Sequence, residues 1–231
     1  FDAPIKEELE NKVNKLLNIN ESLDEALDLL IKEGKVKNEV NEYFLTEIYY
    51  AEIAIAKSIH EILANSKKDL DENVLMLYLN QIAIQKNIEY TQKQIDAIIN
   101  SIINPITIIT GGPGVGKTTI IRVLCDIWLA KKAKIHLVAP TGRAARRMSE
   151  STERKASTIH RLLKYNPQKD KFEYDATNKI DGDVFILDES SMIDILLAAD
   201  FLSALPPHAN LVFVGDIDIT NSKINNNLNI E

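Results

Sequence analysis

The sequence predicts an α/β protein: a parallel-sheet domain preceded by a small, mainly helical domain. Three observations predict it. Short apolar runs at 106–110, 135–139, 184–187 and 211–214 alternate with stretches of helical period at 117–130, 143–150, 158–164 and 193–204. Buried strands alternating with helices build a parallel sheet covered on both faces. The first hundred residues instead carry helical apolar stripes and a net charge of −8, against +1 for residues 101–231. A glycine-rich loop joins the first strand to the first helix of the second region.

Bulk properties narrow the class. A chain of 231 residues makes one large domain or two modest ones. Apolar content of 45% and charged content of 26% describe an ordinary soluble protein. No apolar run approaches the roughly 20 residues of a membrane span, so no membrane partner is expected. No signal peptide is visible, and a start at Phe1 rather than Met leads us to expect a piece of a longer protein. Cys125 is the one cysteine. Set among Val123, Leu124 and Ile127, it reads as a buried structural thiol, and a reducing, cytoplasmic setting is expected.

In the N-terminal region, Ser22 and Glu25 have the spacing of a capping box, followed by an apolar stripe of Leu23, Ala26, Leu27 and Leu30. Gly34 supplies a stop. Lys35-Val36-Lys37 and Glu42-Tyr43-Phe44-Leu45 resemble a small hairpin. Ile48, Ala51, Ile55, Ile59 and Ile62 then mark one face of a longer helix. Helix, hairpin, helix is compatible with a winged-helix module. The acidity of this region points to packing or protein contact rather than DNA.

Residues 65–69 are the best linker, which divides the chain into 1–68, 69–218 and an Asn-rich tail at 219–231. A helical stretch at 74–84 leads to Tyr90 and the segment 91–98. Residues 165–181 read as a polar insertion with a short hairpin at 171–174.

The chemistry starts at Gly111-Gly112-Pro113-Gly114-Val115-Gly116-Lys117-Thr118-Thr119, between an apolar strand and a helix. That context defines a P-loop. Gly111 and Gly116 let the backbone curl so that its N–H groups converge on a phosphate chain, and the new helix adds its N-terminal dipole. Lys117 can reach the β- and γ-phosphates of ATP, and the Thr118 hydroxyl is placed to ligate Mg²⁺.

Val184-Phe185-Ile186-Leu187 ends in Asp188 and Glu189. Open α/β sheets bind ligand at the carboxyl ends of their strands, which sets this pair beside the P-loop. Asp188 is the candidate Mg²⁺ holder, and Glu189 can orient or deprotonate an attacking water. Lys117, Asp188 and Glu189 are thus the candidate catalytic residues. Leu211-Val212-Phe213-Val214 ends in Gly215-Asp216, a turn or a phosphate sensor.

Residues 117–171 carry a net charge of +10, which fits either a polyanion footprint or solvated helix faces. Within them, Pro140-Thr141-Gly142-Arg143 follows the second strand and opens a helix bearing Arg143, Arg146 and Arg147. Ser157-Thr158-Ile159-His160-Arg161 is a second capped helix start.

Together these segments resemble the RecD/TraA branch of superfamily 1 DNA helicases, the exodeoxyribonuclease V alpha-subunit type. The matching pieces are 111–119, 139–150, 157–163, 185–194 and 214–218, in the family's order, and residues 21–63 are similar to the small domain before its motor. The resemblance implies a RecA-like P-loop NTPase that couples ATP and Mg²⁺ to 5′-to-3′ movement on single-stranded DNA. It implies Gln94, within 91–97, as an adenine reader. It places Pro140, Thr141, Arg143 and His160 on the DNA-binding face, and it allows nuclease-complex subunits as partners.

Two departures qualify the match. Where the family continues Gly-Asp-x-Asp with Gln-Leu-Pro, Asp218 is followed here by Ile219-Thr220-Asn221. A second motor domain, which supplies an arginine to the transferring phosphate in the family, is not expected after residue 218, so the chain alone is expected not to unwind duplex. The alternatives are a non-hydrolysing P-loop protein that binds nucleic acid or a partner, and a P-loop enzyme of another class such as a nucleotide kinase.

Overall fold

The computed structural model describes residues 3–65 and 72–216. The N-terminal region consists of helices α1 (Lys6–Leu17) and α2 (Asp24–Lys32), strands β1 (Val36–Glu39) and β2 (Glu42–Leu45), and the long helix α3 (Thr46–Ala64). Helices α4 (Glu72–Lys86) and α5 (Gln92–Ile103) lead into β3 (Ile106–Thr110), α6 (Lys117–Ala130), β4 (Ile135–Ala139), α7 (Gly142–Thr152), β5 (Ala156–Thr158) and α8 (Ile159–Leu162). Strand β6 (Val184–Leu187), a 3₁₀ turn at Ser190–Met192, helix α9 (Ile195–Ser203) and strand β7 (Asn210–Gly215) follow.

Strands β3 to β7 form one sheet in the order β3-β7-β6-β4-β5, with every neighbouring pair parallel. The predicted α/β class is therefore the observed one. Side chains alternate between its two faces, as strand geometry requires. Leu137, Ile186, Val212 and Val214 join Ile98, Ile121 and Leu124 in one core. Val138, Phe185, Leu187 and Leu211 join Ile159, Leu163, Phe201 and Leu202 in the other. Among the described residues β3 is an edge strand, and Ile108 on it is 54% exposed.

Helix α3 is part of the second core. Ile62 is 2% exposed and clusters with Phe201 and Leu202, with Ile55 and Ile59 packed alongside. A boundary at 68 assigns α3 to the N-terminal domain, yet its apolar face lies against α9 of the sheet domain.

Several local expectations hold. Gly34 adopts φ 73°, while its N–H bonds Ile31 O and that of Lys35 bonds Leu30 O. These two bonds are the Schellman termination that a glycine permits. Strands β1 and β2 pair antiparallel through Val40 and Asn41, both at positive φ, as a tight hairpin turn requires. Helix, hairpin and helix are thus present, and nothing further in the described residues bears on a winged-helix assignment. Cys125 is fully buried, and that burial pushes its thiol up to about 11. No helix among the described residues is long and apolar enough to cross a membrane.

Two expectations are corrected and one strand is added. The capping box at Ser22 and Glu25 does not form: α2 starts at Asp24 after an uncapped Leu23. The Ser22 hydroxyl instead accepts from Asp24 N–H, a two-residue turn that competes with the helical cap. The expected hairpin at 171–174 is one antiparallel bridge between Asn166 and Lys171, closed by Asn166 side-chain bonds to the N–H groups of Gln168 and Lys169. Strand β5 is not an element the sequence predicts, since its Ala-Ser-Thr run shows no strand period by itself, while the capped helix start expected at 157–161 is α8, with Thr158 as its N-cap. The linker at 65–69, apart from Asn65, and the tail at 219–231 lie outside the described residues.

Candidate nucleotide and DNA site

The glycine loop leaves the carboxyl end of β3 and turns at Gly114 (φ 78°) and Gly116 (φ 90°). Gly111 is not in the left-handed region; a Cβ there would lie 2.7 Å from Val115 Cγ2, so its bareness serves packing. Gly112, Pro113, Gly114 and Val115 form the outer wall of the loop, with Val115 50% exposed. Gly116 is the N-cap of α6, and the first helical bond runs from Ile120 N–H to Gly116 O. The N–H groups of Lys117, Thr118 and Thr119 therefore have no acceptor within the helix. They form a donor cluster suited to a phosphate, with the helix dipole behind it. The Thr118 side chain is exposed at the same end.

Gln94 reaches this loop from α5. Its Oε1 accepts from Thr91 N–H at 3.0 Å, while the Thr91 hydroxyl accepts from Gln94 N–H, a full capping box. Its Nε2 donates to Val115 O at 3.1 Å. A side chain at Gly116 would run into that amide.

Lys117 does not extend into open space. Its Nζ donates to Gly111 O at 2.5 Å, to Gly112 O at 3.1 Å and to Asp216 Oδ1 at 2.5 Å. The Lys117 side chain is 18% exposed and that of Asp216 43%. Register explains the meeting: Thr110 pairs with Gly215 and Leu187 with Phe213, so the ends of β3, β6 and β7 share one edge.

Asp188 and Glu189 leave β6 at that edge. Burial is the largest influence on Asp188 and pushes its carboxyl above the usual carboxylate range. The Glu189 N–H and Lys117 pull it back, while the charges of Glu189 and Asp216 add to the rise. Asp188 and Glu189 offer carboxylate oxygens at this edge, the donor type that a hard dication such as Mg²⁺ prefers. Among the described residues no group of three or more His, Cys, Asp or Glu could hold a metal by itself. Glu189 sits at φ 53°, a left-handed conformation that costs a non-glycine residue of order 1 kcal/mol. Its placement is held by the 3₁₀ turn that follows, where Ser190 Oγ donates to Val214 O at 3.0 Å.

The expected DNA-binding residues occupy the same edge one strand further on. Val138 pairs with Leu187 and Ala139 with Thr158, so Pro140 and His160 follow neighbouring strand ends. Thr141 caps α7, its hydroxyl accepting from Ala144 N–H at 3.2 Å. Thr158 caps α8 in the same way, accepting from Arg161 N–H at 3.2 Å. Arg143 and Arg147 are exposed, and Arg146 pairs with Glu150 at 2.9 Å.

Sequence reasoning missed two features of this edge. The first is the Lys117–Asp216 pair, for which Gly-Asp after a strand is the only trace. The second is that His160 is not a lone histidine: its ring lies 5.6 Å from both Tyr165 and Phe172. The aromatic spacing within 165–174 was the available signal.

The AAA domain family matches residues 94–224. The RecBCD enzyme subunit RecD of Buchnera aphidicola subsp. Schizaphis graminum is 33% identical over 234 residues, covering 89% of this chain and 38% of that protein. The ATP-dependent RecD2 DNA helicase of Deinococcus radiodurans is 42% identical over 113 residues, covering 49% of this chain and 16% of that protein. The chain therefore spans well under half the length of these relatives. Among solved structures, the Pif1 helicase from Candida albicans is similar over 56% of this chain and 33% of that one, at TM-score 0.41 and 20% identity. The family match covers more than half of the residues, and the chain belongs to the AAA domain family, among its RecD-like members.

Proposed function

We propose that this chain provides a nucleotide-binding motor domain of a RecD-like DNA helicase, one that couples ATP hydrolysis to 5′-to-3′ movement on single-stranded DNA. One observation carries the reading: the glycine loop, the Asp188–Glu189 pair and the segments at 140–143 and 158–160 all leave the same edge of one parallel sheet. A nucleotide and a strand of DNA bound there would be neighbours. The relatives are named as a RecBCD subunit and as a DNA helicase, which supports the class of activity and allows nuclease subunits as partners.

In this reading the loop 111–119 cradles the phosphates, Lys117 binds their terminal oxygens and Gln94 contacts the base. Thr118 and Asp188 would hold Mg²⁺, with phosphate oxygens and water completing its shell. The ion supplies charge to neutralise the phosphates when bound. Glu189 accepts a proton from the attacking water, and its fixed backbone aims the carboxylate before substrate arrives. Thr141, Arg143 and the α7 N-terminus meet DNA phosphates, contacts that are insensitive to sequence and weakened by salt. Residues 1–68 act as a helical brace for the motor, through α3, with residues 69–218 as the motor itself and 219–231 as a tail.

The test is binding of Mg·ATP and of single-stranded DNA by this chain, alongside Lys117→Ala. Weak nucleotide binding that the variant loses, with the strand still bound, is expected. Unchanged nucleotide affinity in the variant, or a parent that binds no strand, would refute the reading.

A further inference from the structure

Building on the single-stranded DNA reading, we propose that His160, Tyr165 and Phe172 form a base-stacking platform that carries the strand from the 140–143 edge onto the 165–181 segment. The three rings form a closed cluster. Tyr165 and Phe172 are 5.2 Å apart at 55°, His160 and Tyr165 are 5.6 Å apart at 87°, and His160 and Phe172 are 5.6 Å apart at 53°. Phe172 is half-buried against the second core, where the fully buried Leu163 supports it. His160 and Tyr165 face outward, Tyr165 being 37% exposed.

The cluster is fixed in advance. Tyr165 Oη donates to Asp170 Oδ1 at 2.5 Å, and Tyr165 N–H bonds His160 O at 2.9 Å. Glu173 and Tyr174 both donate N–H bonds to Leu163 O, at 3.0 and 3.2 Å. Rings already held in place lose little freedom when a base stacks on them. Phe172 anchors the cluster to the core, whereas Tyr165 lies outside it and packs on its neighbouring rings.

The surroundings select the partner. Arg161, Lys164, Lys169 and Lys171 are exposed around the rings, against the acidic Asp170 and Glu173. Lys164 is already engaged, lying 4.7 Å from the centre of the Tyr174 ring and 2.6 Å from Glu173. The remaining cations, exposed on the same segment as the rings, suit a polyanion, and the outward rings suit its flat bases, which together are the recognition mode of single-stranded nucleic acid. The platform also starts at His160, which follows the strand paired with the one preceding Thr141, so it continues the proposed DNA path.

Fluorescence anisotropy with two labelled strands of equal length and charge tests this, one oligo-dT and one with abasic sites throughout. The parent chain is expected to bind oligo-dT about tenfold more tightly at fixed salt. Tyr165→Leu should remove most of that preference, and Tyr165→Phe should keep it. Equal binding of both strands by the parent, or an undiminished preference in Tyr165→Leu, overturns the platform while leaving strand binding intact. No binding of either strand by the parent overturns the platform and the DNA reading beneath it.

Discussion

Lys117 and Asp216, 99 residues apart in the chain, close an ion pair across the mouth of the glycine loop with Nζ 2.5 Å from Oδ1. A carboxylate held there resembles a phosphate oxygen in charge and geometry, so it competes for the lysine that a nucleotide needs. Asp216→Asn is expected to tighten nucleotide binding about two- to fivefold, a modest gain because the carboxylate is partly in water. Lys117→Ala should weaken it at least about tenfold. Titration with a fluorescent ATP analogue measures both; weaker binding in Asp216→Asn would show that the carboxylate assists the nucleotide instead.

Glu189 combines a proposed catalytic carboxylate with a left-handed backbone. Glu189→Gln should keep nucleotide affinity and lower turnover about 10²- to 10⁴-fold. Glu189→Gly should lose turnover too, yet raise stability by up to about 1 kcal/mol as the backbone strain disappears. Steady-state hydrolysis together with urea unfolding separates the two effects.

Stability should depend on pH through Asp188. Its folded pKa is raised above the ordinary 3.8, chiefly by burial, so the fold prefers the protonated form. Stability from this group is full below pH 3.8 and is lost as pH rises through the folded value. Asp188→Asn removes that cost and can still accept from the Glu189 N–H. Without nucleotide or Mg²⁺ it should be more stable than the parent at pH 7, and level with it near pH 3.5, in denaturant titrations at the two values.

Helix α3 should be energetically part of the motor. Ile62 is 2% exposed in the second core, whereas the adjacent Leu63 is 48% exposed. Ile62→Ala should cost about 2–5 kcal/mol, and Leu63→Ala within about 0.5 kcal/mol, by thermal or urea unfolding. Equal small effects would mean that the N-terminal region folds apart from the sheet.

The sheet was legible because each central strand is a self-contained apolar run. Val184 to Leu187 is buried at all four positions, and no tertiary contact is needed to read it. The P-loop and the Asp188–Glu189 pair were legible because their chemistry is contiguous in sequence. What escaped depends on partners remote in the chain. Strand β5 exists because Ala156 to Thr158 line up with Leu137 to Ala139, and its own residues carry no such signal. The Lys117 latch needs the end of β7, and the aromatic cluster needs a loop to fold back. The failed cap at Ser22 is a local choice, in which the hydroxyl bonds the N–H two residues on instead of opening the helix.

Gln94 has one amide, and both of its ends are committed: the oxygen to the start of α5 and the nitrogen to Val115 in the glycine loop. Neither bond exhausts the amide: the oxygen keeps a second lone pair and the nitrogen a second N–H, so an adenine edge could pair with it while both bonds hold. The side chain proposed to read the base is therefore also the tie between the start of α5 and the glycine loop, and the base and the phosphate cradle would share one anchor.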